Sequence, residues 1–358
     1  MNPIRMYAGT FTRMGNAEGI YWYKFDPEFG KLSFEGKIDA GPDPAFLTLT
    51  SDHKYLYTVN EVHEYQGNKG GGVSAFAVNP DSGQLTFLNT QLTFGESPCY
   101  ISLDESEKWA LVSNYAGGSV AVYPILEDGK LGPASEFIQH QGQGPDPKRQ
   151  EKAHAHSIRV FPNNHVALAA DLGLDQVKVY WLDLRTGKLH ADEEATIHLH
   201  PGAGPRHIDF HPNGKWMYVV DELDSTLAVF EVEYTNFHFT HLQTVSTLPE
   251  GYDGPTWAAD IHVHPNGKLV YASNRAHDSL AAFSIDQVTG KVTLLSVTPS
   301  GGKTPRNFTI DPTGKWLLAA NQDSDNVVVF TLDPETGKIS PNGQEISVPM
   351  PVCLKFVL

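Results

Sequence analysis

Cysteine is nearly missing from this chain: two residues, Cys99 and Cys353, in 358. That excludes a disulfide framework and a cysteine-rich zinc site, and it fits a reducing compartment. Positive charge is also scarce. Against 42 acidic residues stand 26 Lys and Arg, for a formal net charge of −16. A general nucleic-acid binder needs a basic face, so no nucleic-acid partner is expected. No apolar run approaches the ~18 residues that span a bilayer, and the opening Met1-Asn2-Pro3-Ile4-Arg5-Met6 has no apolar signal core. The expectation is a cytoplasmic protein with no membrane partner. Helical periodicity of useful length is absent, as are a Gly-rich phosphate loop and a G-x-S-x-G elbow.

What the sequence does have is a repeat. The phrase Pro205-Arg206-His207-Ile208-Asp209-Phe210-His211-Pro212-Asn213-Gly214-Lys215-Trp216 returns as Ala258–Leu269 and again from Pro305, with weaker copies from Pro44, Pro98 and Ala155. Each copy reads as two strands around a turn, because Pro presets φ and Gly or Asn accepts positive φ. A third strand follows, as in Ser279–Ile285, then a Gly-Lys turn and a fourth strand. Those turns fall at Gly30, Gly129, Gly187, Gly290 and Gly337, as Gly83-Gln84 in one copy, with a degenerate copy near Asn236-Phe237. The chain opens on a second strand, Met6–Thr10, and closes on an unmatched first strand, Val352–Val357. The prediction is one all-β domain over residues 1–358. It is a seven-bladed β-propeller with four antiparallel strands per blade, the terminal strands closing one blade. An open β-solenoid would cap its ends instead.

Aligning the repeats puts His156, Arg206 and Arg306 at one position, just before the first strand, where other copies carry Ala45, Cys99 and Ala259. The next position carries Phe46, Tyr100, Ser157, His207, Asp260 and Asn307. Second strands end in Asn60-Glu61, Asn114-Tyr115, Asp171-Leu172, Asp221-Glu222, Asn274-Arg275 and Asn321-Gln322. The leading Asn or Asp suits a turn cap. The second members vary, and repetition does not explain Glu222 or Arg275. Three arginines and a histidine converge on one mouth of an acidic protein. A guanidinium fork matches carboxylate or phosphate, so the pattern points to an anionic small molecule. The competing reading is a ring of arginine–carboxylate pairs between blades, with Glu222 or Asp260 as partners. His154-Ala155-His156 puts two imidazoles on one strand face, as do His198/His200 and His262/His264. Such pairs arise easily among 16 histidines, and no metal is expected.

At these residues the chain resembles the seven-bladed propeller lactonase family. The segments that carry the resemblance are Ala153–Ser157, Asp171–Asp175, Gly204–His207 with Asp221–Leu223, and Ser273–Arg275. The family's best-known member is the propeller type of 6-phosphogluconolactonase, of the pentose phosphate pathway. A fungal carboxy-cis,cis-muconate lactonizing enzyme shares the fold, with a proposed active site of one histidine, two arginines and a glutamate. The resemblance implies a cofactor-free lactone hydrolase with His156, Arg206, Arg275 and Glu222 as catalytic residues. His156 is preferred to His154 as the base because it shares the pore position of Arg206. His154, His207, Arg306, Asn307, Asp260 and Asn274 complete the expected substrate-binding surface. A muconate-type cyclizing isomerase and a non-catalytic scaffold are the alternatives, and a monomer or weak homodimer is expected.

Overall fold

The computed structural model describes residues 3–234 and 237–357. Seven four-stranded antiparallel sheets succeed one another along the chain and form the blades of a propeller. Blade 1 takes its inner strand from the C-terminus, Pro351–Phe356, and its other three from the N-terminus, Ile4–Thr10, Ile20–Asp26 and Lys31–Ile38. The closure is a paired ladder, with Met6 opposite Phe356 and Ala8 opposite Leu354. The inner strands of blades 2 to 7 are Pro44–Leu49, Pro98–Leu103, Ala155–Val160, Pro205–Phe210, Ala258–Val263 and Pro305–Ile310. Apart from these sheets, the described residues hold a two-stranded ribbon at Glu64–Tyr65 and Asn68–Lys69 and one 3₁₀ turn at Gln322–Ser324. The expected turn near Asn236 lies outside the described residues.

The repeat phrase works by gripping the next blade. Tyr7, Tyr57 and Tyr218, at one position of three second strands, donate their hydroxyls to the carbonyls of Gly83, Gly129 and Gly290 one blade on. Those glycines are required. Gly290 sits at φ +71°, and a Cβ there would stand 2.5 Å from the Trp216 ring. His211 and His264 hold the Gly267 and Gly314 turn carbonyls in the same manner, at 2.7 and 2.8 Å. Between blades, alternating strand residues interlock as continuous apolar layers, for example Trp216, Tyr218 and Val220 with Ala281 and Phe283.

Each inner strand breaks register at its second residue. The ladder skips Ala45, Cys99, His156, Arg206 and Arg306, a step that includes Ala259 in blade 6, and Val352 in blade 1. A bulged residue is unpaired and re-aimed. The repeat position expected just before the inner strand is therefore inside it, and the bulge turns it toward the channel mouth.

Candidate active site at the channel mouth

Glu222 is the hub. It follows the second strand of blade 5, its backbone fixed by a bond from its N–H to the Gly204 carbonyl, and its side chain is 3% exposed. Oε2 receives Arg206 Nε at 3.1 Å and Arg275 Nη2 at 2.7 Å, and Oε1 receives Arg149 Nη2. His156 Nε2 lies 4.0 Å from Oε2. Across the mouth Arg306 approaches Glu61 at 3.6 Å and covers the Phe11 ring. Four guanidiniums thus surround two carboxylates, a local surplus of positive charge in a chain of net charge −16.

The charges set the titration. Burial works to lift Glu222, yet Arg275, Arg206 and Arg149 prevail and hold its carboxyl down at about 2. Burial, then Arg206, His207, Arg306 and Arg275, lower His156 well below the ordinary imidazole value. At neutral pH it is an uncharged, buried proton acceptor. Burial and the neighbouring guanidiniums also push Arg206 and Arg275 down against the pull of Glu222. Burial raises Glu61 despite Arg306. The Cys99 thiol, lifted by burial, stays protonated. Its sulfur lies 3.2 Å from the His156 carbonyl oxygen and 3.7 Å from Nδ1.

One residue further along each inner strand the channel is plugged. Phe46 stacks on Tyr100 at 4.2 Å, and both meet the His207 ring edge-on. Asp260 gathers the remaining donors: His207 Nδ1 at 2.7 Å, His262 Nε2 at 3.1 Å and Asn307 Nδ2 at 2.5 Å. Asn307 Oδ1 in turn accepts from the Leu354 backbone, tying the floor to the closing strand. Beneath the mouth lies a closed aromatic and polar floor.

The comparisons with known proteins agree with this architecture. The family described as "Lactonase, 7-bladed beta-propeller" matches residues 5–356. The chain belongs to the seven-bladed β-propeller lactonase family. A 6-phosphogluconolactonase of Bacillus subtilis (strain 168) is 39% identical over 353 residues, 98% of this chain and 97% of its own. A second, from Formosa agariphila, is 35% identical over 86% of each chain. Among solved structures, the Pseudomonas aeruginosa periplasmic gluconolactonase PpgL superposes with a TM-score of 0.93 at 32% identity, covering 100% of this chain and 99% of its own.

In this lactonase, His156, Glu222, Arg206 and Arg275 meet in one cluster, with Arg306 across the mouth. His154 does not share a strand face with His156, since it precedes the inner strand and the bulge intervenes. It stacks on Tyr115 at 4.7 Å and reaches Glu151 at 3.2 Å. His207, Asp260 and Asn307 form the floor, their polar atoms spent on one another, on His262, on the Arg206 guanidinium and on the backbone. Asn274 is fully buried, its amide spent on the Thr247 carbonyl and hydroxyl. The arginine–carboxylate pairs of the competing reading are present, and they leave cations in excess. His198 and His200 are not brought together: His200 pairs with Asp224 at 2.5 Å, and His198 faces Gln176. Among the described residues no cluster of three or more His, Cys, Asp or Glu is arranged to hold a metal, and no helix is long and apolar enough to cross a membrane.

The sequence reading missed Arg149. It lies outside the repeat phrase, in the connection 140–154 between blades 3 and 4, the longest of the seven. That length was the available signal. Tyr115 stood at the right repeat position, and only the structure shows both histidine rings against it, His156 at 5.3 Å.

Proposed function

We propose that this protein hydrolyses 6-phospho-D-glucono-1,5-lactone to 6-phosphogluconate, the activity named for its relatives. One observation carries the reading: a neutral, buried imidazole stands beside a surplus of guanidiniums. His156 is the general base. The Cys99 thiol donates to the His156 carbonyl, and in the tautomer that carries its proton on Nδ1, facing the Cys99 sulfur, the Nε2 lone pair is free. Nε2 takes a proton from water as the water oxygen bonds to the lactone carbonyl carbon. The carbonyl electron pair moves to oxygen, where Arg206 and Arg275 stabilise the developing charge. Collapse breaks the bond to the ring oxygen, and the imidazolium returns its proton there. Glu222, held at about 2 and spent on three guanidiniums, is not the base. It fixes the arginines. Two buried, unpaired cysteines support a reducing, cytoplasmic setting, where phosphorylated sugars are retained.

Unphosphorylated gluconolactone is a second reading, supported by the likeness to PpgL. The experiment is hydrolysis of freshly made 6-phosphogluconolactone, gluconolactone and muconolactone, each measured against its spontaneous rate. Acceleration of the first is expected. No acceleration of any sugar lactone rejects the hydrolase reading, and conversion of muconolactone alone to its isomer cis,cis-muconate, without addition of water, establishes the cyclizing isomerase.

A further inference from the structure

Arg149 differs from the other three guanidiniums in how it is held. Arg206 and Arg306 stand on inner-strand bulges, and Arg275 follows a second strand. Arg149 stands on a connection whose backbone is braced from within. Asp146 Oδ1 accepts from the backbone N–H groups of Lys148 and Arg149 at 2.8 and 3.2 Å, and the buried Gln150 amide reaches the Leu172 carbonyl at 2.8 Å. The anchor is therefore fixed while the side chain is the least buried of the four, 30% exposed against 2% for Arg206. Its bonds are also dispensable. Nη2 contacts Glu222 Oε1 and, at 3.3 Å, the Tyr115 hydroxyl. If it swings away, Oε2 still holds Arg206 and Arg275, so Glu222 is not left as an unpaired buried charge.

We propose that Arg149 and the Tyr115 hydroxyl form the phosphate-reading pair of this site. Arg149 trades Glu222 for the 6-phosphate of the lactone and so selects phosphorylated over unphosphorylated substrate. This rests on the lactonase reading above and adds a specificity determinant to it. Tyr115 sets the spacing: its ring lies edge-on to His156, while its hydroxyl reaches Arg149. Burial raises the Tyr115 phenol, so it remains a donor. A guanidinium fork can grip two phosphate oxygens, a gain that gluconolactone cannot offer.

The test compares kcat/KM for 6-phosphogluconolactone and for glucono-1,5-lactone in the wild type, Arg149→Gln and Tyr115→Phe. Arg149→Gln is expected to cost the phosphorylated lactone on the order of 10- to 100-fold more than the unphosphorylated one, mainly in KM. Tyr115→Phe, which removes one hydroxyl and spares the fold, should shift the same ratio in the same direction by less. Inhibition by inorganic phosphate should weaken in parallel. If both variants lower the two substrates equally, Arg149 merely braces Glu222 and the inference is overturned. If the wild type accelerates neither lactone, the hydrolase reading itself fails and takes this inference with it.

Discussion

Two layers of the same channel, one residue apart along the inner strands, are built on opposite principles. The floor layer is closed: Asp260 accepts from His207, His262 and Asn307, and Phe46 and Tyr100 fill the remainder. The mouth layer is left unbalanced, with more guanidiniums than carboxylates and a histidine held uncharged by burial and then by that excess. Both layers are deeply buried and rich in ionisable groups, so neither burial nor charge density alone marks a reactive site. The difference lies in whether the polar groups are mutually spent or left in surplus.

The comparison can be broken first at the strand both layers share. Truncating the chain before Met350 removes the inner strand of blade 1 and the Leu354 partner of Asn307. Each blade is stabilised by its neighbours, so cooperative unfolding should vanish or its midpoint fall steeply. A truncated protein that melts at the wild-type temperature sinks the closed ring.

His156→Ala should lower kcat by roughly 10²–10⁴, the span of general base catalysis, with a smaller loss of stability than Asp260→Ala, since it strands no charged partner. Asp260→Ala should do the reverse in emphasis. It strands three side-chain donors and should cost ~2–4 kcal/mol in denaturant unfolding. Equal stability losses in the two variants would erase the distinction between the layers.

Acid should separate them as well. His156 must be neutral to act, and its pKa is lowered, so the acid limb of kcat/KM should fall below pH 6.5. Arg206→Gln removes a charge that depresses it and should move the limb up. A wild-type limb at or above pH 6.5 contradicts the assignment. In the floor, burial and Arg206 hold His207 at about 3. The unfolded chain binds that proton near 6.5, so this contribution to stability is complete above pH 6.5 and declines as pH drops toward 3. His262→Ala should have the smallest effect, about 1 kcal/mol or less, since its ring is partly exposed and gives Asp260 one of several bonds.

The propeller was legible because turn chemistry recurs: Pro-Asn-Gly after the first strand and Gly-Lys after the third report backbone needs that no packing detail overrides. The common depth of His156, Arg206 and Arg306 was legible for the same reason. The two layers were not. Strand alternation puts positions 156 and 157 on opposite faces, and nothing in the sequence announces the bulge that brings both toward the axis. Floor residues such as His207 and Asp260 therefore read like members of the mouth. Asn274, at a repeat position where a turn cap was already expected, caps its loop through Thr247. Arg149 escaped because it belongs to an insertion, where no periodic register identifies what a side chain will meet.

The recurrent bulge makes the ring a set of seven interchangeable sockets. Three are wired with His156, Arg206 and Arg306, while Ala45, Cys99, Ala259 and Val352 occupy the others with small side chains. A new acid, base or cation placed at Ala45 or Ala259 arrives at the depth of the existing ones without disturbing a ladder hydrogen bond. One backbone can thus be reprogrammed for a different reaction by editing single letters around its rim.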